Sequence, residues 1–100
     1  MVIHVVMIKF REGEEKEKNL KLAQEMIDGL MGRVPSLRSM ETGINFADEE
    51  RAMDLCLRAV FDDREGLREY ADHPVHREVI DFLKGVTEYS KVVDYETDLR

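Results

Sequence analysis

Val2-Ile3-His4-Val5-Val6-Met7-Ile8-Lys9-Phe10 is a strand-length run with almost no polar interruption. Successive side chains of a strand point to opposite faces. His4, Val6, Ile8 and Phe10 therefore share one face, and Ile3, Val5 and Met7 the other. Both faces are apolar, so the strand is expected to be covered on both sides. No basic stretch precedes the run and no small-residue cleavage site follows it, which argues against a secretory signal.

Outward from this strand, the charged run Arg11 to Lys18 reads as a loop leading into a solvated first helical turn. Leu20, Ala23, Met26, Ile27, Leu30, Met31 and Val34 recur at three and four residues and predict a helix over residues 14–34. Gly13 is its expected N-cap, Glu14 and Glu15 suit the dipole of its first turn, and Pro35 ends it. A second strand is expected over 37–46, with Met40, Thr42, Ile44 and Phe46 on one face. After a turn from Ala47 to Arg51, Met53, Leu55, Leu57, Ala59 and Phe61 alternate in a third strand over 52–61, which forms a hairpin with the second. Cys56 lies inside that run and reads as a small buried hydrophobe.

Asp62 or Asp63 is placed to cap a helix that runs to about Ala71. Pro74 suits the first position of a further helix, which makes His73 its N-cap. That helix carries Val75, Val79, Ile80 and Leu83 as one stripe, with a stop at Gly85. A last strand over 89–96 holds Val92, Val93 and Tyr95.

The order is βαββαβ, an α+β chain of the ferredoxin-like kind, with a four-stranded antiparallel sheet and helices on one face. The other sheet face is apolar too, and an exposed apolar patch calls for a cover. The same sheet from a second chain supplies one, giving a homodimer built as a dimeric α+β barrel. A different protein is the alternative cover.

The chain of 100 residues suits a single domain over 1–100. Its 43% hydrophobic and 37% charged residues describe a globular chain. The 15 Lys and Arg against 22 Asp and Glu give a net charge of −7, which disfavours nucleic acid and anionic membrane surfaces as partners. With Cys56 as the single cysteine there is no intrachain disulfide, and a reducing, cytoplasmic setting fits.

Several short motifs now line up. They are Ile3-His4-Val5-Val6 in the first strand, Val34-Pro35-Ser36-Leu37, Gly43-Ile44-Asn45, and Phe61-Asp62-Asp63. Tyr70-Ala71-Asp72-His73-Pro74-Val75-His76 and Val92-Val93-Asp94-Tyr95-Glu96 complete the series. In this order, over about residues 2–97, the chain resembles the stress-responsive A/B barrel (Dabb) family. The resemblance implies a dimeric α+β barrel. Some plant members of similar pattern are polyketide cyclases that close a poly-β-keto thioester by aldol condensation without a cofactor. Their catalytic Tyr and His would fall on Tyr70 and His76, and the strand-one His on His4.

Aldol closure needs a base between two carbonyls and a donor for the oxygen that becomes an alkoxide. A His76 in the first turn of a helix is held toward its neutral, basic form by the helix dipole. Tyr70 can donate to the oxyanion. His4, on the strand face that meets the helices, can converge on the same cavity, and His73 is a further candidate ligand contact. Each has a bland alternative: His73 as a cap, His76 as a structural first-turn residue, His4 as a core histidine, Tyr70 as a core aromatic. Three histidines suggest zinc, but His73 and His76 straddle a proline cap, and neither H-E-x-x-H nor paired cysteines occur, so no metal and no cofactor is expected. Two functions remain. One is a homodimer that binds a small, partly apolar ligand between sheet and helices. The other is a cofactor-independent, cyclase-like enzyme acting on a carbonyl-bearing or aromatic compound.

Overall fold

A computed structural model describes residues 1–98. Its elements are β1 (Val2–Phe10), α1 (Lys16–Asp28), β2 (Ser39–Ile44), β3 (Leu55–Phe61), α2 (Arg64–Asp72), α3 (Pro74–Val86) and β4 (Thr87–Glu96). The strands form one antiparallel sheet in the order β2-β3-β1-β4, which is the ferredoxin-like arrangement. β1 has a strand at each edge, while helices cover only one of its two apolar faces.

Register decides which side chains meet. Val2 pairs with Phe61, His4 with Ala59, Val6 with Leu57 and Ile8 with Leu55, so these eight share a face. The core collects Val2, Ile8, Phe10, Leu55, Leu57 and Phe61 from this face with Leu20, Ala23 and Ile27 of α1. Along β4 the residues opposite His4 and Val6 are Asp94 and Val92. The other face carries Val5, Met7 and Cys56 with Val93 and Tyr95. It buries Ile3 and Val60 but leaves Met7, Val93 and Tyr95 exposed.

Several boundaries differ from the sequence-based expectation. α1 ends at Asp28 and not at residue 34, although Leu30 and Val34 remain buried. The chain leaves the helical path at Gly32, whose φ of +83° is open to glycine, while turns keep the apolar stripe pointed inward. Glu15, without a side-chain bond, stands at the N-cap in place of Gly13, so Glu17 is the acid of the first turn. β2 and β3 are shorter than expected, and Phe46 lies beyond β2, fully exposed. Asp63 caps α2 by accepting from the Gly66 amide at 2.8 Å, while Asp62 pairs with Arg38. α3 runs past Gly85 to Val86, and β4 begins at Thr87.

Cys56 is exposed, against the expectation of burial. Its neighbours Leu55 and Leu57 take the helix-facing positions, so alternation puts the thiol on the face that no helix covers. Partial burial, and then Glu41, push that thiol above its ordinary value.

Asp54 joins the start of β3 to the end of β1. Its carboxylate accepts from the Phe10 amide at 2.7 Å, next to the register shift between Lys9 and Phe10. Its other oxygen lies 3.2 Å from Lys16 Nζ, and its backbone amide donates to the Ile8 carbonyl at 2.9 Å. Removing the carboxylate strands a part-buried amide. Asp54→Ala is expected to lower unfolding free energy by about 1–3 kcal/mol in urea titration. An unchanged midpoint would remove this clip from the account.

Candidate functional site

β1 sends His4 to the helix side of the sheet. α2 ends with Tyr70 turned inward, 2% exposed. The chain then breaks at His73-Pro74, and α3 restarts with His76 in its first turn. The break brings the three rings together. The Tyr70 and His76 ring centroids are 4.3 Å apart, and those of His4 and Tyr70 are 6.0 Å apart in an edge-on arrangement. Phe61 backs Tyr70 at 5.1 Å.

These rings border a cavity of about 430 Å³ between α3 and the β1–β4 side of the sheet. Val6, Ile8, Val79, Ile80, Leu83 and Val92 supply its apolar wall. Polar groups stand at both ends. Lys84, Thr87 and Ser90 line the end away from the rings. A second hollow, of about 480 Å³, lies between α2 and the end of β4, lined in part by Arg64, Arg68, Asp94 and Glu96. Its arginine Arg64 is tied to Glu96 at 2.6 Å, and neither Tyr70 nor any histidine lines it, so the ring cluster belongs to the first cavity.

Hydrogen bonding fixes the tautomers. His4 Nδ1 lies 2.5 Å from Asp94 Oδ1. A carboxylate accepts only, so Nδ1–H donates and Nε2 is left with the lone pair when His4 is neutral. Asp94 is set opposite His4 by the β1–β4 register. His76 Nδ1 lies 3.2 Å from the Ala71 carbonyl, which again makes Nδ1 the donor and leaves Nε2 as the base. His73 differs. Its Nδ1 accepts from the Val75 amide at 3.1 Å as the N-cap of α3, and His73 does not line the cavity. The ligand contact expected of His73 thus has no place in this cavity, because the cap points its ring at the backbone.

The electrostatics push the polar groups in useful directions. Burial, acting first, lowers the His76 imidazole below its usual value, and repulsion from His4 and His73 adds to this, while the Ala71 carbonyl opposes it. The direction is the one expected from the helix dipole, but desolvation is the main cause. Burial pushes the Tyr70 phenol up to about 12, so it stays protonated and able to donate. Among the described residues no buried side-chain oxygen or nitrogen is left without a partner.

Asp94 and Lys84 were not picked out from the sequence. Asp94 sits in the apolar run Val92-Val93-Asp94-Tyr95, where an acid on a strand face was the available sign, yet its partner is 90 residues away. Among the described residues no three His, Cys, Asp or Glu side chains gather as metal ligands, and no helix is long and apolar enough to cross a membrane.

The chain belongs to the stress-responsive A/B barrel domain family, whose model matches residues 2–97. An uncharacterized protein of Streptomyces coelicolor is 31% identical over 78 residues, 77% of this chain and 80% of that protein. A dimeric protein of unknown function and ferredoxin-like fold from Bacteroides fragilis is 29% identical, with a TM-score of 0.88 over 96% of this chain and 95% of its own. A dimeric ferredoxin-like protein of unknown function from Jannaschia is 27% identical, with a TM-score of 0.80 over 96% of this chain and 98% of its own.

The lowered His76 value has a consequence for stability. The folded chain binds that proton less readily than the unfolded chain, so the neutral ring favours the fold above the ordinary value of 6.5. That contribution is lost as pH falls from 6.5 through the lower folded value. His76→Gln is expected to flatten the fall in Tm between about pH 7.5 and about pH 5. Parallel curves for the two proteins would contradict the assignment.

Proposed function

We propose that this Dabb-family chain works as a homodimer that takes a small, partly apolar, carbonyl-bearing ligand into the cavity between its sheet and α3. The observation that carries this reading is the cavity itself: an apolar wall with His4, Tyr70 and His76 at one end. A structural role for these rings calls for a filled core around them. A cavity of about 430 Å³ in so short a chain forgoes burial that the fold would otherwise gain.

The dimer rests on the open sheet face. Met7 at 42%, Tyr89 at 49%, Val93 at 53% and Tyr95 at 45% exposure lie on that one face. Such a patch calls for a cover, and the Bacteroides fragilis and Jannaschia proteins above are described as dimeric. A second copy would also cover Cys56. The absence of a disulfide partner and the acidic balance fit a cytoplasmic protein.

A second reading is favoured by one further observation, the hydrogen bond from His4 Nδ1–H to the Asp94 carboxylate. With it the cavity end holds two imidazoles with free Nε2 atoms and a protonated phenol. That set suits cofactor-independent proton transfer next to a carbonyl, as in an aldol closure. His76 or His4 would take the proton, and Tyr70 would donate to the developing alkoxide.

Three measurements separate these statements. Val5→Asp puts a carboxylate on the open face, and sedimentation should then show monomer or unfolded chain. An intact dimer would move the interface elsewhere. A thermal-shift screen of aromatic and polyketide-like acids should raise Tm for wild type, and less for His76→Ala. If a substrate turns over, Tyr70→Phe should lower kcat while stability changes by no more than about 1 kcal/mol. Loss of stability without loss of ligand affinity in both variants would make the rings structural.

A further inference from the structure

The cavity has two polar ends, and only one belongs to the ring cluster. α3 forms one wall from His76 to Lys84, eight residues apart, or about 12 Å along the helix. Between them lie Val79, Ile80 and Leu83 on the helix and Val6, Ile8 and Val92 on the sheet. At the far end stand Lys84 in the last turn of α3 and Ser90 on β4. Thr87 is there too, but its hydroxyl already donates to the Leu83 carbonyl at 2.8 Å.

We infer that this cavity takes a two-ended ligand: a carbonyl at the His4, Tyr70 and His76 end, an apolar spacer, and a carboxylate at the Lys84 and Ser90 end. The inference rests on the cavity reading above and names its substrate class. Among the described residues Lys21, Lys84 and Lys91 form no ion pair, whereas Lys9, Lys16 and Lys18 are each paired with an acid, and of the unpaired three Lys84 alone lines the cavity. Lys84 is an exposed residue of the cavity lining, so its long side chain can bring the ammonium to a ligand at the rim.

Charge decides where a carboxylate could be held. The chain carries −7, a field that repels anions at long range. An anionic ligand then needs a local cation, and Lys84 is the only Lys or Arg in the cavity lining. Ser90 adds a hydroxyl able to donate to a carboxylate oxygen. The spacing sets the length: about one medium acyl chain between the two polar groups. A neutral apolar ligand would leave the Lys84 end unused, and a compact one would not reach it.

Calorimetric titration with two probes tests this. One is methyl hexyl ketone. The other is the keto acid of equal length, with the same methyl ketone at one end and a carboxylate at the other. Wild type is expected to bind the keto acid about fivefold more tightly than the ketone, with the difference shrinking as salt is added. Lys84→Met should erase that preference and leave ketone affinity unchanged, whereas His76→Ala should weaken both probes. Equal affinities in wild type, or a preference that survives Lys84→Met, would overturn the inference and leave the cavity reading standing. If neither probe binds, both fall together.

Discussion

The register of β1 against β4 is the constraint on which the site depends. It sets His4 opposite Asp94 and Val6 opposite Val92 on the face that α3 covers. Side-chain direction in a sheet has a period of two, so a slip of one residue would send every one of these groups to the other face. His4 would then join the open face, its tautomer would lose the carboxylate that fixes it, and the cavity would lose its floor. β1 is apolar on both faces, so its own pattern does little to resist a slip; β3 resists it, with Leu55, Leu57, Ala59 and Phe61 on the helix side and Cys56 and Arg58 on the other. Asp54 adds a local lock where β1 bulges between Lys9 and Phe10.

The break between α2 and α3 is the second requirement. A continuous helix through His73-Pro74 would carry Tyr70 and His76 past the sheet as ordinary stripe positions. Pro74 has no amide to donate to a preceding turn, so one helix stops and another starts. His73 is consumed in that restart as the cap, which explains why the histidine nearest the proline stays out of the cavity. The same restart places Tyr70 and His76 against each other. Burial raises the phenol and lowers the imidazole, leaving a donor and a base side by side near neutral pH.

Much of this was legible in the sequence because its clues are local. Apolar periodicity outlined six of the elements, the Asp62 or Asp63 cap marked the start of α2, and the proline placed the break. Tyr70, His76 and His4 were grouped by the resemblance to the Dabb pattern, and the element order, with the end of one helix, the start of the next and the first strand, agreed with it. What could not be read was long-range. Alternation showed that Cys56 lies opposite Leu55 and Leu57 in direction, but not which side the helices take. Leu30 and Val34 continue a helical stripe although the backbone has turned at Gly32, since burial constrains side chains more than φ and ψ. Asp94 becomes meaningful only once strand register is known. Lys84 stood out in no local pattern, because its place in the cavity lining depends on how α3 lies on the sheet.

The central claim is that His4 and His76, and not His73, border a ligand cavity with their Nε2 atoms free. Nitrogen-15 NMR of the three imidazoles, recorded while methyl hexyl ketone is added, tests it most directly. Before addition, His4 and His76 should report the Nδ1–H tautomer and His73 the Nε2–H tautomer. On addition, the His4 and His76 signals should shift together and saturate while those of His73 stay in place. Unmoved His4 and His76 signals under a ligand that binds, or a shift confined to His73, would contradict the account.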